Sequence, residues 1–143
     1  MATTTATGSC LCGAVNVTAK AALGDIGACH CDTCRNWGGG PYLSVDCASS
    51  ATFTGEEYIA VFQSSQWAER AFCKQCGTHL YYRLKQNNQY MLPAGLLDPA
   101  EGLSMSHQVF IDEKPHYYAF SGDTKNFTGE EIFELFGANA NGS

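Results

Sequence analysis

The chain has 143 residues, 45% of them hydrophobic and 15% charged, which is typical of one globular domain and excludes a disordered protein. Its 8 Lys and Arg stand against 14 Asp and Glu, and the net charge of -6 argues against binding to nucleic acid or to an anionic membrane surface. We therefore expect neither nucleic acid nor a membrane as a partner.

Residues 1–8 are small and polar, and we predict that they form a loose N-terminal tail. They contain neither a basic residue nor an apolar run, so they do not resemble a secretory signal. No stretch of the chain approaches the roughly 20 apolar residues that span a bilayer. We predict a cytoplasmic location, where thiols stay reduced and eight cysteines favour metal binding over disulfides.

Most of the chain shows the alternation of apolar and polar residues that indicates β-strands. Val15 and Val17 alternate with polar neighbours directly after the first cysteines. The 15 glycines and the many short apolar runs also favour strands and turns over helices. Further strands are predicted at 42–45, 58–62, 67–72, 79–84, 89–92 and 107–111.

The end of the chain differs and predicts a short helix over 128–137. Thr128 followed by Glu131 is a capping box, in which each side chain bonds the other residue's backbone N–H. Gly137 would end this helix. Since no internal repeat and no long linker divides the sequence, we predict a single zinc-binding domain over 1–143.

Seven of the eight cysteines fall into three groups along the sequence: Cys10 with Cys12, Cys29 with Cys31 and Cys34, and Cys73 with Cys76. Two separated pairs supply the four sulfur ligands of a closed tetrahedral zinc site, so we combine the first group with the third. Such a site constrains the chain as a disulfide does. The alternative, in which a member of the central group enters the closed site, stays open.

The central group leaves three thiols, and zinc held by three protein ligands keeps a fourth position for chemistry. Water, a substrate atom, His30 and Cys47 are candidates for that position. His30 is a poor ligand there, because neighbouring residues of an extended chain point in opposite directions. It is also a candidate proton shuttle, since its pKa lies near neutrality, and a packed structural histidine is the alternative.

Two other interpretations of the cysteines stay open. All seven grouped cysteines can serve stability alone, with both ions holding together a small β-rich domain. The segment Cys73-Lys74-Gln75-Cys76 also has the CxxC form of a redox motif, although the strand–helix context of a thioredoxin-like site is missing.

Three motifs together resemble the glutathione-dependent formaldehyde-activating enzyme family, which also includes centromere protein V. They are Cys10-Leu11-Cys12-Gly13, Cys29-His30-Cys31-Asp32-Thr33-Cys34-Arg35 and Phe72-Cys73-Lys74-Gln75-Cys76-Gly77-Thr78, with later similar pieces at 95–98 and 107–115. Each motif alone is a weak signal, but three in the right order are specific. The resemblance covers roughly residues 8–120.

The resemblance implies a mainly β fold of compact, folded-over antiparallel sheets of the β-tent type, stapled by zinc. It implies two zinc ions per chain: a structural zinc on Cys10, Cys12, Cys73 and Cys76, and a second zinc on Cys29, Cys31 and Cys34 near a glutathione site. The implied activity is that of a carbon–sulfur lyase similar to S-(hydroxymethyl)glutathione synthase. Such an enzyme joins glutathione, as co-substrate, to formaldehyde or cleaves a related thiol adduct.

Candidate substrate-binding residues follow the central cysteines. Glutathione carries two carboxylates, and Arg35 is the obvious local cation, with a fold-stabilising ion pair as its alternative role. We predict a flexible loop over 36–41, in which Gly38 and Gly39 let the backbone approach a ligand. Trp37 can form one wall of a pocket or lie in an ordinary core.

Two further functional hypotheses stay open beside the formaldehyde reaction. The first is a non-catalytic, zinc-stabilised protein-interaction domain, which the similarity to centromere protein V supports and which needs only the closed zinc site. The second is the same site chemistry applied to another thioether or aldehyde adduct, because a family resemblance does not fix the substrate.

Overall fold

Two β-sheets and two α-helices form the fold in the computed structural model, which describes residues 2–98 and 102–136. Twelve strands lie within those residues: β1 Thr3–Ser9, β2 Asn16–Ala22, β3 Ile26–Cys29, β4 Tyr42–Asp46, β5 Thr52–Thr54, β6 Ile59–Phe62, β7 Ala68–Cys73, β8 His79–Leu84, β9 Gln89–Pro93, β10 Leu97–Asp98, β11 Met105–Val109 and β12 Lys125–Phe127. The helices are α1 Asp32–Gly38 and α2 Gly129–Phe136. The mainly β fold class with a short C-terminal helix is confirmed.

The sheets differ in size and in the direction of their strands. The smaller sheet has the order β10-β1-β2-β5, and the larger has the order β12-β11-β3-β4-β9-β8-β7-β6. Strands β8 and β9 form the hairpin expected from their sequence. Among the described pairs, β11 is the exception to antiparallel pairing, because it runs parallel to both β3 and β12.

The main hydrophobic core contains side chains from both sheets. In β2 every second residue is buried, including Val17, as expected for a strand with one face on a core. Val45 of β4 and Leu92 of β9, both in the larger sheet, belong to the same cluster. The two sheets are therefore folded over one another.

The predicted loose tail over 1–8 is wrong where the structure describes it. Thr3–Ser9 forms β1 and pairs along its whole length with β2, and Ala6 is buried. The polar composition suggested a tail, but threonine favours strands, and the neighbouring strand completes the hydrogen bonds of the backbone. Met1 lies outside the described residues.

The predicted loop over 36–41 is also wrong in its first half, because 32–38 form helix α1. The Sγ of Cys31 accepts a hydrogen bond from the N–H of Cys34 at 3.3 Å and caps the helix. Glu113 Oε1 accepts the N–H of Asp32 at 3.0 Å. Gly39 has the left-handed conformation, φ 84°, that commonly ends a helix. The glycines that suggested a flexible loop therefore mark the end of helix α1.

The C-terminal helix begins with the capping box that the sequence predicted. The N–H of Glu131 donates to Thr128 Oγ1 at 3.1 Å, and the N–H of Thr128 donates to Glu131 Oε1 at 2.8 Å. The helix runs from Gly129 to Phe136, and its predicted end at Gly137 lies outside the described residues. Asp112 also holds the helix start by accepting the N–H of Gly129 at 2.8 Å.

Candidate metal centres and an adjoining cavity

The first and third cysteine pairs meet in one group, which we call the four-cysteine group: Cys10, Cys12, Cys73 and Cys76. Their sulfur atoms all lie within 4.8 Å of one another. Cys12 Sγ is 3.6 Å from Cys10 Sγ and 3.8 Å from Cys73 Sγ. A tetrahedral zinc site places its sulfur atoms about 3.8 Å apart, so this group has the spacing that a zinc ion requires.

The four-cysteine group connects the two sheets. Cys10 and Cys12 lie in the turn between β1 and β2, whereas Cys73 ends β7 of the larger sheet. Thr78 supports the junction, since its Oγ1 accepts the N–H of Leu11 at 3.1 Å. A hydrogen bond from the Thr78 side chain also lowers the pKa of Cys76 to about 5, which favours the thiolate needed for metal binding.

The second group, the cysteine trio, consists of Cys29, Cys31 and Cys34, and all three are buried. Cys29 ends β3, Cys31 caps α1, and Cys34 lies in the first turn of that helix, so the trio is local in sequence. The three sulfur atoms lie within 4.8 Å of one another and can hold one metal ion. All eight cysteines are free thiols, so neither group is tied up in disulfides.

Arg70 is a buried cation beside the trio, and the sequence analysis missed it. Its side chain is 1% exposed, and its Nη2 lies 3.6 Å from Cys34 Sγ. Hydrogen bonds from Cys29 and Cys31, followed by the charge of Arg70, lower the pKa of Cys34 to about 3 despite its burial. Three thiolates on a divalent ion would carry one net negative charge, which the charge of Arg70 would offset. The signal that was available is an arginine within a predicted strand, three positions before a CxxC motif.

His30 is a packed histidine whose two ring nitrogens are both occupied. Its Nε2 is 2.7 Å from Gln108 Oε1, an acceptor, so Nε2 donates. Its Nδ1 then accepts the hydroxyl proton of Tyr118 at 2.8 Å. The side chain is fully buried, and burial lowers its pKa, which favours the neutral ring. These contacts support the structural role over metal ligation and proton shuttling.

The other sequence candidate for the trio's fourth ligand, Cys47, lies in the main core. It is 1% exposed and belongs to the cluster between the sheets, and its Sγ contacts the carbonyl of Val45 at 3.7 Å. Among the described residues, neither metal-spaced group includes it. The trio therefore keeps three cysteine ligands.

A cavity of about 160 Å³ adjoins the trio at Cys29 and Cys34. Five adjacent strands of the larger sheet, β11-β3-β4-β9-β8, each contribute two residues in alternate positions to its wall, because alternate side chains share one face of a sheet. Its lining residues are Gly27, Cys29, Cys34, Tyr42, Ser44, Tyr82, Leu84, Gln89, Met91, His107, Val109, Phe110 and Ile132.

Phe110 and Ile132 close the cavity on the side of the C-terminal helix. Both are buried and pack in the same cluster as the trio. Phe110 adopts the left-handed conformation with φ 54°, which costs a non-glycine residue about 1–3 kcal/mol. Gly129 permits the close approach of α2, since a Cβ there would lie 2.7 Å from the Phe110 ring. The helix thus helps to shape the cavity.

The four predicted substrate-binding residues lie at the end of α1, and within residues 2–98 and 102–136 they are not part of this cavity wall. Arg35 Nε donates to the carbonyl of His30 at 2.9 Å. Trp37 stacks on His79 with ring centroids 3.8 Å apart and lies 4.9 Å from the Arg70 guanidinium. Gly38 and Gly39 end the helix. Their role in substrate binding stays a prediction.

Comparisons with known proteins identify one family. The family model described as glutathione-dependent formaldehyde-activating enzyme matches residues 5–113. A Schizosaccharomyces pombe protein named as an uncharacterized lyase is 36% identical over 128 residues, which is 89% of this chain and 93% of the relative. A crystal structure of a Rhodobacter sphaeroides protein has a TM-score of 0.57 and 25% identity, covering 65% of this chain and 88% of that one. No helix in the described part of the chain has the length and apolarity needed to cross a bilayer.

Proposed function

Because the chain belongs to the glutathione-dependent formaldehyde-activating enzyme family, we propose that it is a zinc-dependent carbon–sulfur lyase of the S-(hydroxymethyl)glutathione synthase type. In one direction the reaction joins the glutathione thiol to formaldehyde, and in the other it cleaves the carbon–sulfur bond of the adduct. The observation that carries this proposal is a buried three-cysteine group that opens on a cavity.

Zinc is the proposed ion in both groups. The four-cysteine group has enough sulfur ligands to close a tetrahedral site, so we assign it the structural zinc. The trio would hold the second ion with a position left for a substrate atom. A zinc ion held by Cys29, Cys31 and Cys34 would supply Lewis-acid chemistry, which would favour the thiolate form of a bound thiol or polarise a carbonyl oxygen.

The chain's own residues would prepare the cavity for this reaction. Arg70 offsets the negative charge of the trio in a place that water does not reach. Tyr42, Tyr82 and Met91 line the cavity and would surround a bound substrate with mostly apolar walls, which would strengthen nearby electrostatic interactions. The free thiols fit a reducing compartment, and we retain the cytoplasm as the proposed location.

Glutathione itself is larger than the cavity, so its peptide part would lie outside the wall. Arg35, Trp37, Gly38 and Gly39 are our candidates for contacts with that part, because they follow Cys34 on α1. Arg35 is half-buried and held by the His30 carbonyl, which limits the freedom that it would lose on binding a carboxylate. His30 would act as a buried packing residue whose carbonyl holds Arg35 in place.

The size of the cavity favours a second candidate substrate. An apolar cavity of about 150 Å³ holds a benzene ring, and the cavity here has about 160 Å³ with Val109, Phe110 and Ile132 in its wall. Formaldehyde fills a small part of such a volume. The same chemistry on the thiol adduct of a larger, apolar aldehyde therefore fits the cavity better than the formaldehyde adduct does.

Exchange between free glutathione and its formaldehyde adduct, followed by NMR, tests the proposal. The zinc-loaded protein should accelerate the exchange, and Cys31→Ala should lose about 100-fold or more of that acceleration. Cys47→Ala is the matched control, because it removes a buried thiol outside both groups and should keep the activity. Benzaldehyde in place of formaldehyde tests the second candidate.

The outcomes separate the hypotheses. No acceleration with either aldehyde by a protein containing two zinc ions per chain would overturn the lyase proposal. One zinc per chain and an empty trio would instead favour the interaction domain, which needs only the four-cysteine site. Faster turnover of the benzaldehyde adduct would favour the larger substrate.

A further inference from the structure

His107 lies in the wall of the cavity together with two cysteines of the trio. Strand β11 pairs in parallel with β3, so that His107 is opposite Gly27 and Val109 is opposite Cys29. Because alternate residues share one face, His107 lies on the same face as Cys29, about 6.6 Å further along the sheet. The histidine and the trio therefore border the same space.

The imidazole ring of His107 lies directly over Gly27. A Cβ at position 27 would be 2.4 Å from Nε2 and 2.8 Å from Cε1 of His107, so a larger residue there would force the ring to move. Gly27 thus provides the room that the ring occupies. This contact places the Nε2 edge of the ring above the strand that ends at Cys29.

Two polar residues orient the opposite edge of the ring. Ser106 Oγ is 2.8 Å from Nδ1 of His107 and donates to Asp25 Oδ1 at 3.1 Å. Asp25 Oδ1 is also 3.5 Å from Nδ1. A carboxylate only accepts, so the single hydroxyl proton of Ser106 goes to Asp25. Nδ1 must then carry the ring proton and donate it to Ser106.

This arrangement leaves Nε2 unprotonated. Among the described residues, the polar contacts of His107 all run through Nδ1. The His107 side chain lines the cavity and is 26% exposed, so the ring borders the space that a substrate would enter. A histidine that is held through one ring nitrogen and has no polar partner at the other has the form of a general base.

We propose that His107 is the proton-transfer residue of the reaction, an inference that rests on the proposed function. Nε2 takes the proton of the glutathione thiol as the sulfur attacks the carbonyl carbon of the aldehyde. The carbon–sulfur bond forms while the π electrons of the carbonyl move to its oxygen. Nε2 then gives its proton to that oxygen. One proton passes from sulfur to oxygen, no other reactant is needed, and the reverse sequence cleaves the adduct.

Steady-state kinetics of His107→Ala with glutathione and formaldehyde tests this role. We expect kcat to fall by about 100-fold or more, the range for general acid–base catalysis, with KM for glutathione and zinc content unchanged. Added imidazole should restore part of the rate in His107→Ala but none in Cys31→Ala. His116→Ala, which removes an exposed histidine, is the matched control and should keep the wild-type rate.

A second variant tests the orientation of the ring. Ser106→Ala removes the acceptor for Nδ1–H and should lower kcat by about tenfold. In nitrogen-15 NMR of the wild type, the His107 ring should show the Nδ1–H tautomer, and Ser106→Ala should lose this preference.

Three results would overturn the inference. One is a His107→Ala rate within threefold of wild type, another is a rate loss that imidazole does not rescue, and the third is an Nε2–H tautomer in the wild type. If the wild type itself accelerates no exchange, the proposed function fails as well. An active wild type with an equally active His107→Ala variant refutes the role of His107 alone.

Discussion

The four-cysteine group and the trio both offer cysteine sulfur atoms to a metal ion, but the surroundings of these atoms differ. The four-cysteine group is partly exposed, since Cys10 and Cys73 are buried whereas Cys12 is exposed and its neighbour Leu11 is 90% exposed. The trio is buried, yet it borders a cavity and a buried arginine. The partly exposed group would be closed by its fourth sulfur, whereas an ion in the buried group would have a position left for a substrate. Ligand number and the adjoining space, and not exposure of the sulfur atoms, distinguish a reactive site from a structural one.

The groups also differ in what they connect. The four-cysteine group joins a turn of the smaller sheet to the end of β7 in the larger sheet, so a metal ion held there would close a long loop. The trio lies within a single turn of chain between β3 and α1. Closing a long loop removes more freedom from the unfolded chain than closing a short one. The fold should therefore depend mainly on the first group and the reaction on the second.

The largest effect should come from Cys73→Ala. This change removes a ligand that links the sheets, and metal-binding energy at such sites is folding energy. We expect the cooperative thermal transition to disappear or its Tm to fall by about 15 °C or more. Cys47→Ala, at a buried cysteine of the same core, should lower Tm by only a few degrees. Equal effects in calorimetry would show that the four-cysteine group is not a metal staple.

A smaller effect on stability is expected for Cys31→Ala. The trio is local in sequence, so loss of its ion should lower the free energy of unfolding by about 1–3 kcal/mol. Zinc content should fall from two ions per chain to one, measured by atomic emission on the folded protein. A variant that retains both ions, or one that unfolds as completely as Cys73→Ala, would break the division between a structural and a reactive group.

The smallest effect on folding is expected for Arg70→Met, which keeps the volume of the side chain but removes its charge. The trio would keep its three ligands but lose the neighbouring cation, and we expect its zinc affinity to fall by about 10- to 100-fold. Competition with a zinc-binding dye measures this affinity. Arg70→Lys retains the charge and should lie closer to wild type. Unchanged affinity in Arg70→Met would remove Arg70 from the site.

The sequence determined the features that depend on residue type and short spacing. The three cysteine groups, the pairing of the first with the third and the capping box at Thr128 and Glu131 all appear in the structure. Sulfur chemistry limits how cysteines can combine, and a capping box is completed within a single turn of chain. Such features need little information about distant residues.

Local reasoning failed where a distant part of the chain completes an element. Residues 3–8 have the composition of a tail, but they form a strand because β2 pairs with them. Helix α1 occupies a stretch that carries few helix signals besides the Cys31 cap. Glu113, from the other end of the chain, helps to hold the start of that helix. Backbone hydrogen bonds were available in both cases, but their partners could not be read from the neighbouring sequence.

Only the tertiary structure decided the composition of the cavity. The order of strands in the larger sheet brings His107 over Gly27, and the approach of β7 to α1 brings Arg70 to Cys34. The alternation of apolar and polar residues in the sequence predicts each strand, but it does not predict which strand lies beside it. Strand order and the burial of one face of the sheet under Phe110 and α2 are set by packing of the whole chain, so the site's base and cation emerged only from the fold.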